Sequence, residues 1–266
     1  MDGLSLKRKW RSGQPSAGMW LRLSDPTVAD LLSDLGFDWV MFDAEHVAYD
    51  LQPLQNLMMA FKGSATVPLV RVYINEPAYI KRILDMGAGG VLVPQIGSAA
   101  EAAAAVAACK YPPTGIRGTG PRRPSRYGRQ LTDYLANAND QTIVLMMMET
   151  VGAMNDLDPI LAMPGLDGLV IGPVDLAMSL GCNGDSEQPA VQQAISSIIA
   201  KARAAGMPFG TGRPTDDQAE WARRGATLLA MGDDEMFIHQ GAVKALEVFK
   251  QGLPGKDAGH ADAGRS

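Results

Sequence analysis

Cysteine is almost missing from this chain: only Cys109 and Cys182 occur, and no CxxC pair. This excludes a disulfide framework and a cysteine-based zinc site, and it fits a reducing cytoplasm. Both thiols read as small apolar packing residues. Long apolar runs are missing too. No window approaches the roughly 18 uninterrupted apolar residues of a membrane span, and Met1–Gln14 has no apolar stretch after its charges, so a secretory signal is not expected. Positive charge is in deficit. With 24 Lys and Arg against 29 Asp and Glu, the net charge is −5, which makes a poor partner for nucleic acid or an anionic membrane.

What is present is a regular alternation of short apolar runs and amphipathic stretches. Strands are expected at Met19–Leu23, Trp39–Asp43, Pro68–Tyr73, Gly90–Pro94, Thr142–Glu149, Gly168–Gly172, Pro208–Thr211 and Leu228–Gly232. They are nearly continuous hydrophobic runs, as in parallel sheets buried on both faces. Helices are expected over 26–35, 50–62, 77–88, 98–110, 153–163, 190–205, 215–224 and 234–251. Glycines at several helix–strand joins, such as Gly36, Gly87, Gly206 and Gly225, fit helix C-caps. Eight β-α units in a chain of 266 residues predict one (β/α)8 TIM barrel, with a doubly wound open sheet as the alternative. The barrel is assigned to 18–251, with an N-terminal extension at 1–17 and a disordered tail at 252–266.

One stretch breaks the rhythm. Residues 111–141 read as a long connection before the fifth strand, and 117–129 carry Arg117, Arg122, Arg123, Arg126 and Arg129. No strand runs into its glycines and no helix opens on them, so it is not a dinucleotide loop. Two readings stand, a cradle for an anionic substrate and a subunit-contact loop.

In a barrel the chemistry sits at the carboxyl ends of the strands. Strand two ends Phe42-Asp43-Ala44-Glu45-His46. His46 is the best-placed of the three histidines, and Asp43 could accept from one ring nitrogen, leaving the other as a general base; loop capping is the plain alternative for both. Strand three ends Val70-Arg71-Val72. A guanidinium within an apolar run needs an anion, either a substrate carboxylate or an internal partner such as Asp43 or Glu45. Strand five ends in Glu149, and strand six continues Gly172-Pro173-Val174-Asp175. Two carboxylates from neighbouring strands, with water and a chelating substrate, make a magnesium-type shell. The alternatives are helix capping for Asp175 and an ion pair with Arg71 for Glu149. The backbone N–H groups at 174–176 offer a carboxylate site. No lysine falls at a strand's carboxyl end, which removes the Schiff-base route and leaves a metal as electron sink.

The blocks Phe42-Asp43-Ala44-Glu45-His46, Pro68-Leu69-Val70-Arg71-Val72, Tyr111-Pro112-Pro113-Thr114-Gly115-Ile116-Arg117-Gly118, Met148-Glu149-Thr150 and Ile171-Gly172-Pro173-Val174-Asp175-Leu176 occur in order. Together they resemble the HpcH/HpaI family of class II pyruvate aldolases. The resemblance implies a divalent cation (Mg²⁺, Mn²⁺ or Co²⁺, with Zn²⁺ an option) on Glu149 and Asp175. It implies Arg71 on a 2-keto acid, pyruvate or hydroxypyruvate, and His46 with Asp43 as base. It also implies an aldehyde as second substrate, Gly172, Pro173, Val174, Asp175 and Met147 around the keto acid, and a homohexamer (a trimer of dimers) whose last helix packs on a neighbour. Two features depart from the family: Met147 stands where members often carry Gln, and 117–129 is shorter and more basic. The aldehyde is expected under that loop. The alternatives are a citrate-lyase or malyl-CoA type lyase using a CoA thioester, and a silent keto-acid-binding protein.

Overall fold

The computed structural model describes residues 2–252; the expectation for the tail falls on 253–266, outside them. All eight expected strands form: β1 Ser16–Leu21, β2 Trp39–Asp43, β3 Val67–Arg71, β4 Gly90–Val93, β5 Ile143–Met148, β6 Gly168–Ile171, β7 Phe209–Thr211 and β8 Leu228–Asp233. Each pairs in parallel with the next, and β8 returns to β1, closing the barrel. The open-sheet alternative is thereby excluded.

Alternation along each strand divides the apolar side chains into two layers. Trp39 and Met41 point inward with Leu69, Leu92, Leu145 and Met147. Val40 and Phe42 point outward, against the helices. The interior is crowded with large rings, and Gly18 makes room for one: a Cβ there would lie 2.0 Å from the Trp39 indole.

The helices are α1 Gly3–Arg11, α2 Pro26–Ser33, α3 Leu51–Ala60, α4 Pro77–Asp85, α5 Ala99–Cys109, α6 Leu131–Gln141, α7 Val151–Asn155, α8 Leu157–Leu161, α9 Pro173–Ser179, α10 Pro189–Ala204, α11 Gln218–Arg223 and α12 Asp234–Gly252. Within the expected extension, α1 plugs the barrel's N-terminal end, with Leu6 and Trp10 inserted into the interior layer. Trp10 and Trp39 both donate their indole N–H to the buried Ser16 hydroxyl. The single helix expected at 153–163 is two, broken at Asp156, whose carboxylate accepts the Ala99 N–H at 2.8 Å.

The stretch 111–141 requires a correction. It contains α6, and it links α5 to the start of β5, so it lies at the N-terminal end of the barrel, opposite the mouth. Arg117 binds Asp85 at 2.8 Å, and Arg123 donates to the Met86 carbonyl at 2.9 Å, both at the end of α4. Within one chain this segment covers no substrate at the strands' carboxyl ends.

Candidate metal and keto-acid site

The register of β2 and β3 sets Asp43 beside Arg71, and both side chains are buried. Arg71 grips Asp43 with two prongs, Nε to Oδ1 at 3.0 Å and Nη2 to Oδ2 at 2.6 Å. Its Nη1 lies 3.2 Å from Glu45 Oε2 and 3.7 Å from Met147 Sδ. The guanidinium also stacks over the Trp20 ring, 4.5 Å from its centroid. A planar, permanently charged group is thus fixed by two carboxylates, an indole and a thioether. Burial pushes the Asp43 carboxyl up, but the hydrogen bonds and charge of Arg71 outweigh it, and Asp43 is held below its usual range.

The expected pairing of the His46 ring with Asp43 does not form. Asp43 Oδ1 instead accepts the backbone N–H of Glu45 at 3.3 Å and of His46 at 3.2 Å. The tight turn after β2 spends the carboxylate on main chain and on Arg71. The exposed His46 ring faces Glu45, with Nε2 3.6 Å from Oε2. Glu45 therefore joins Arg71 to His46.

Glu149 emerges from β5 almost fully buried. Its Oε1 accepts the backbone N–H of Gln95 at 2.6 Å. Gln95 holds a left-handed backbone, φ 53°, which aims that N–H across from the end of β4. Burial, with the charges of Glu45 and Asp175, raises the Glu149 carboxyl to about 7 despite the Gln95 bond and the Arg71 charge. Glu45 is raised as well, by burial and by Asp43 and Asp175, against the pull of Arg71. Glu45, Glu149 and Asp175 therefore repel one another electrostatically at the mouth.

Asp175 is half-buried in the first turn of α9. Among the described residues no three His, Cys, Asp or Glu groups gather tightly enough to cage an ion. Glu149 and Asp175 stand at the carboxyl ends of neighbouring strands, β5 and β6. Of the N–H groups expected to be free at 174–176, that of Leu176 is committed to the Gly172 carbonyl at 2.9 Å, leaving those of Val174 and Asp175.

Gly172 is here for space. A Cβ would stand 2.8 Å from Glu149 Oε2 and 3.1 Å from the Met147 methyl. Gly172→Ala should displace the Glu149 carboxylate, lowering turnover and metal affinity at least about tenfold while costing the fold only about 1–3 kcal/mol. Metal titration and a melting curve on the same variant check both parts.

Sequence reasoning missed Arg22 and Gln95. Arg22 Nε lies 3.5 Å from Asp43 Oδ2, and its Nη1 lies 3.0 Å from Asp233 Oδ2. Its position just after β1 was a usable signal. Gln95 acts through its main chain, which leaves no signature in residue type.

The HpcH/HpaI aldolase/citrate lyase family matches residues 16–240. The chain belongs to this family. It is 38% identical over 239 residues to a 5-keto-4-deoxy-D-glucarate aldolase of Salmonella arizonae, covering 90% of this chain and 93% of the relative. Among solved structures, an HpcH/HpaI aldolase/citrate lyase family protein from Burkholderia cenocepacia J2315 superposes with a TM-score of 0.87 at 32% identity, covering 92% of this chain and 99% of that one. A citrate synthase superposes at 0.81 and 30%, covering 93% and 98%.

Burial of Glu149 sets a pH dependence. With its carboxyl at about 7 in the fold against about 4.3 in an unfolded chain, the folded protein holds the proton more tightly. The stability this group contributes is full below about pH 4.3 and is lost as the pH rises through 7. A metal held by Glu149, the role proposed below, would need the carboxylate, so its affinity should fall about tenfold per unit below pH 7. Melting curves with and without Mg²⁺ should show a larger metal-induced rise at pH 8 than at pH 6.

Proposed function

We propose that this chain is a class II, divalent-metal-dependent aldolase. It makes or breaks the bond between the enolate of a 2-keto acid, pyruvate or hydroxypyruvate, and an aldehyde. The observation that carries the reading is Glu149, buried at the mouth within the fields of Asp175 and the Arg71 guanidinium, in a chain whose relatives are aldolases.

Glu149 and Asp175 would hold the cation, Mg²⁺, Mn²⁺ or Co²⁺, with Zn²⁺ an option. When bound there, it supplies a Lewis acid to the keto acid's oxygens. Arg71, oriented by Asp43 and Glu45, stabilises negative charge developing on the keto oxygen. The N–H groups of Val174 and Asp175, presented after Gly172 and Pro173, orient the substrate carboxylate. His46, linked through Glu45, moves the proton with a water between ring and carbon. Met147 beside Arg71 makes that wall of the site less polar.

The relative's substrate, 5-keto-4-deoxy-D-glucarate, would split by retro-aldol chemistry into pyruvate and the three-carbon aldehyde acid. Purified protein with Mg²⁺ should release pyruvate from it without coenzyme A. The citrate synthase likeness favours a second reading, a lyase for CoA thioesters. Absence of turnover until a CoA thioester is supplied would select that reading.

The last helix, α12, contacts its own barrel chiefly at β8 and β1. Ile238, Leu246, Val248 and Phe249 on it are each more than half exposed. This supports a homo-oligomer, in the resemblance a hexamer, with α12 seated on a neighbouring copy. No described helix is long and apolar enough to cross a membrane; the cytoplasm is the proposed location.

A further inference from the structure

At the barrel's N-terminal end lies a cleft of about 660 Å³, bordered by Thr66, Gly89 and Thr142 just before β3, β4 and β5. Its wall carries Lys62, Arg123, Arg126 and Arg129, together with Tyr127 and Tyr134. Among the described residues lining it there is no Asp or Glu, in a chain of net charge −5. Arg123 is committed to the Met86 and Met58 carbonyls. Lys62 and Arg126 are exposed and enter no ion pair among the described residues.

The segment that presents Arg126 and Arg129 is braced by its own hydrogen bonds. Arg126, Tyr127 and Gly128 all take left-handed backbone, with φ of 52°, 59° and 88°. Two of them are not glycine, so the conformation costs free energy unless neighbours enforce it. Ser125 does so: its buried hydroxyl donates to the Pro121 carbonyl and accepts the Gly128 N–H at 3.0 Å. The loop thus places Arg126, Tyr127 and Arg129 together at the rim of a concave space.

We propose that this cleft binds a small, multiply charged oxyanion, a phosphate-bearing or polycarboxylate metabolite. The concavity has the volume of a small-molecule site, and uncompensated Lys and Arg side chains call for more than one negative charge. The site is separate from the mouth. Thr66 and Arg71 stand at opposite ends of β3, roughly 16 Å apart.

Calorimetric titration of the full chain, stripped of metal on a chelating resin, tests this with sodium pyrophosphate and with citrate at low and moderate salt. Saturable binding of at least one probe is expected, and the stronger probe identifies the anion class. The variant Lys62→Gln/Arg126→Asn/Arg129→Gln should weaken it at least tenfold; Asn is chosen because position 126 is left-handed. Glu149→Gln should leave it unchanged. Should the triple variant fail to melt cooperatively, Lys62→Gln and Arg126→Asn singly should each weaken binding about threefold. Failure of both probes to bind, binding that survives the charge removals, or binding lost in Glu149→Gln would overturn the proposal.

Discussion

Glu149→Gln should lose about 4 kcal/mol of transition-state stabilisation, roughly a thousandfold in kcat/KM, while the metal-free protein melts no lower than the parent. The second half distinguishes this from a structural lesion. Gln fits the same space, and its amide oxygen can still accept the Gln95 N–H. It also removes a carboxylate that burial, Glu45 and Asp175 together make costly to ionise. A strongly shifted carboxyl at the strand ends of a barrel marks Glu149 as a candidate binding group. Addition of Mg²⁺ should raise the parent's melting temperature and leave that of Glu149→Gln in place.

Arg71→Ala should damage both the fold and the activity. The side chain satisfies both oxygens of the fully buried Asp43 and one of Glu45. Removing one partner of a buried pair leaves an uncompensated charge, at about 3–5 kcal/mol. The Arg22 guanidinium, 3.5 Å from Asp43, places the expected loss at the lower end of that range. Turnover should fall by more than the melting shift accounts for, since the proposed contact of Arg71 with the keto acid is also lost. Arg71→Lys separates the two effects: it keeps a charge near Asp43 and recovers part of the stability, but lacks the two-pronged geometry, so activity stays low. Denaturant melts beside steady-state rates on the two variants give both numbers.

The strands were legible because a parallel barrel buries both faces, leaving runs such as Ile143–Met148 apolar throughout. The carboxylates and Arg71 were legible because polar groups ending such runs need a partner. α1 was not: Leu4, Leu6 and Trp10 are its large apolar side chains among basic residues, and the burial of Leu6 and Trp10 depends on the barrel end they plug. α6 has a single buried residue, Ala138, and its pattern resembles a loop. The position of 117–129 followed from connectivity, because a segment running from helix to strand lies at the N-terminal end. Its arginines suggested a cradle over the mouth, and chain order moves them to the opposite end of their own barrel. The partner of the His46 ring was not legible, since the turn after Asp43 decides which groups the carboxylate meets.

In the proposed function, two carboxylates and a divalent cation carry the chemistry. Its most direct measurement is aldol cleavage by protein stripped of metal, followed as Mg²⁺ or Mn²⁺ is returned stepwise beside calorimetric binding. Activity should be absent at the start and should rise with occupancy of one site per chain. Full turnover in excess chelator would rule out the metal.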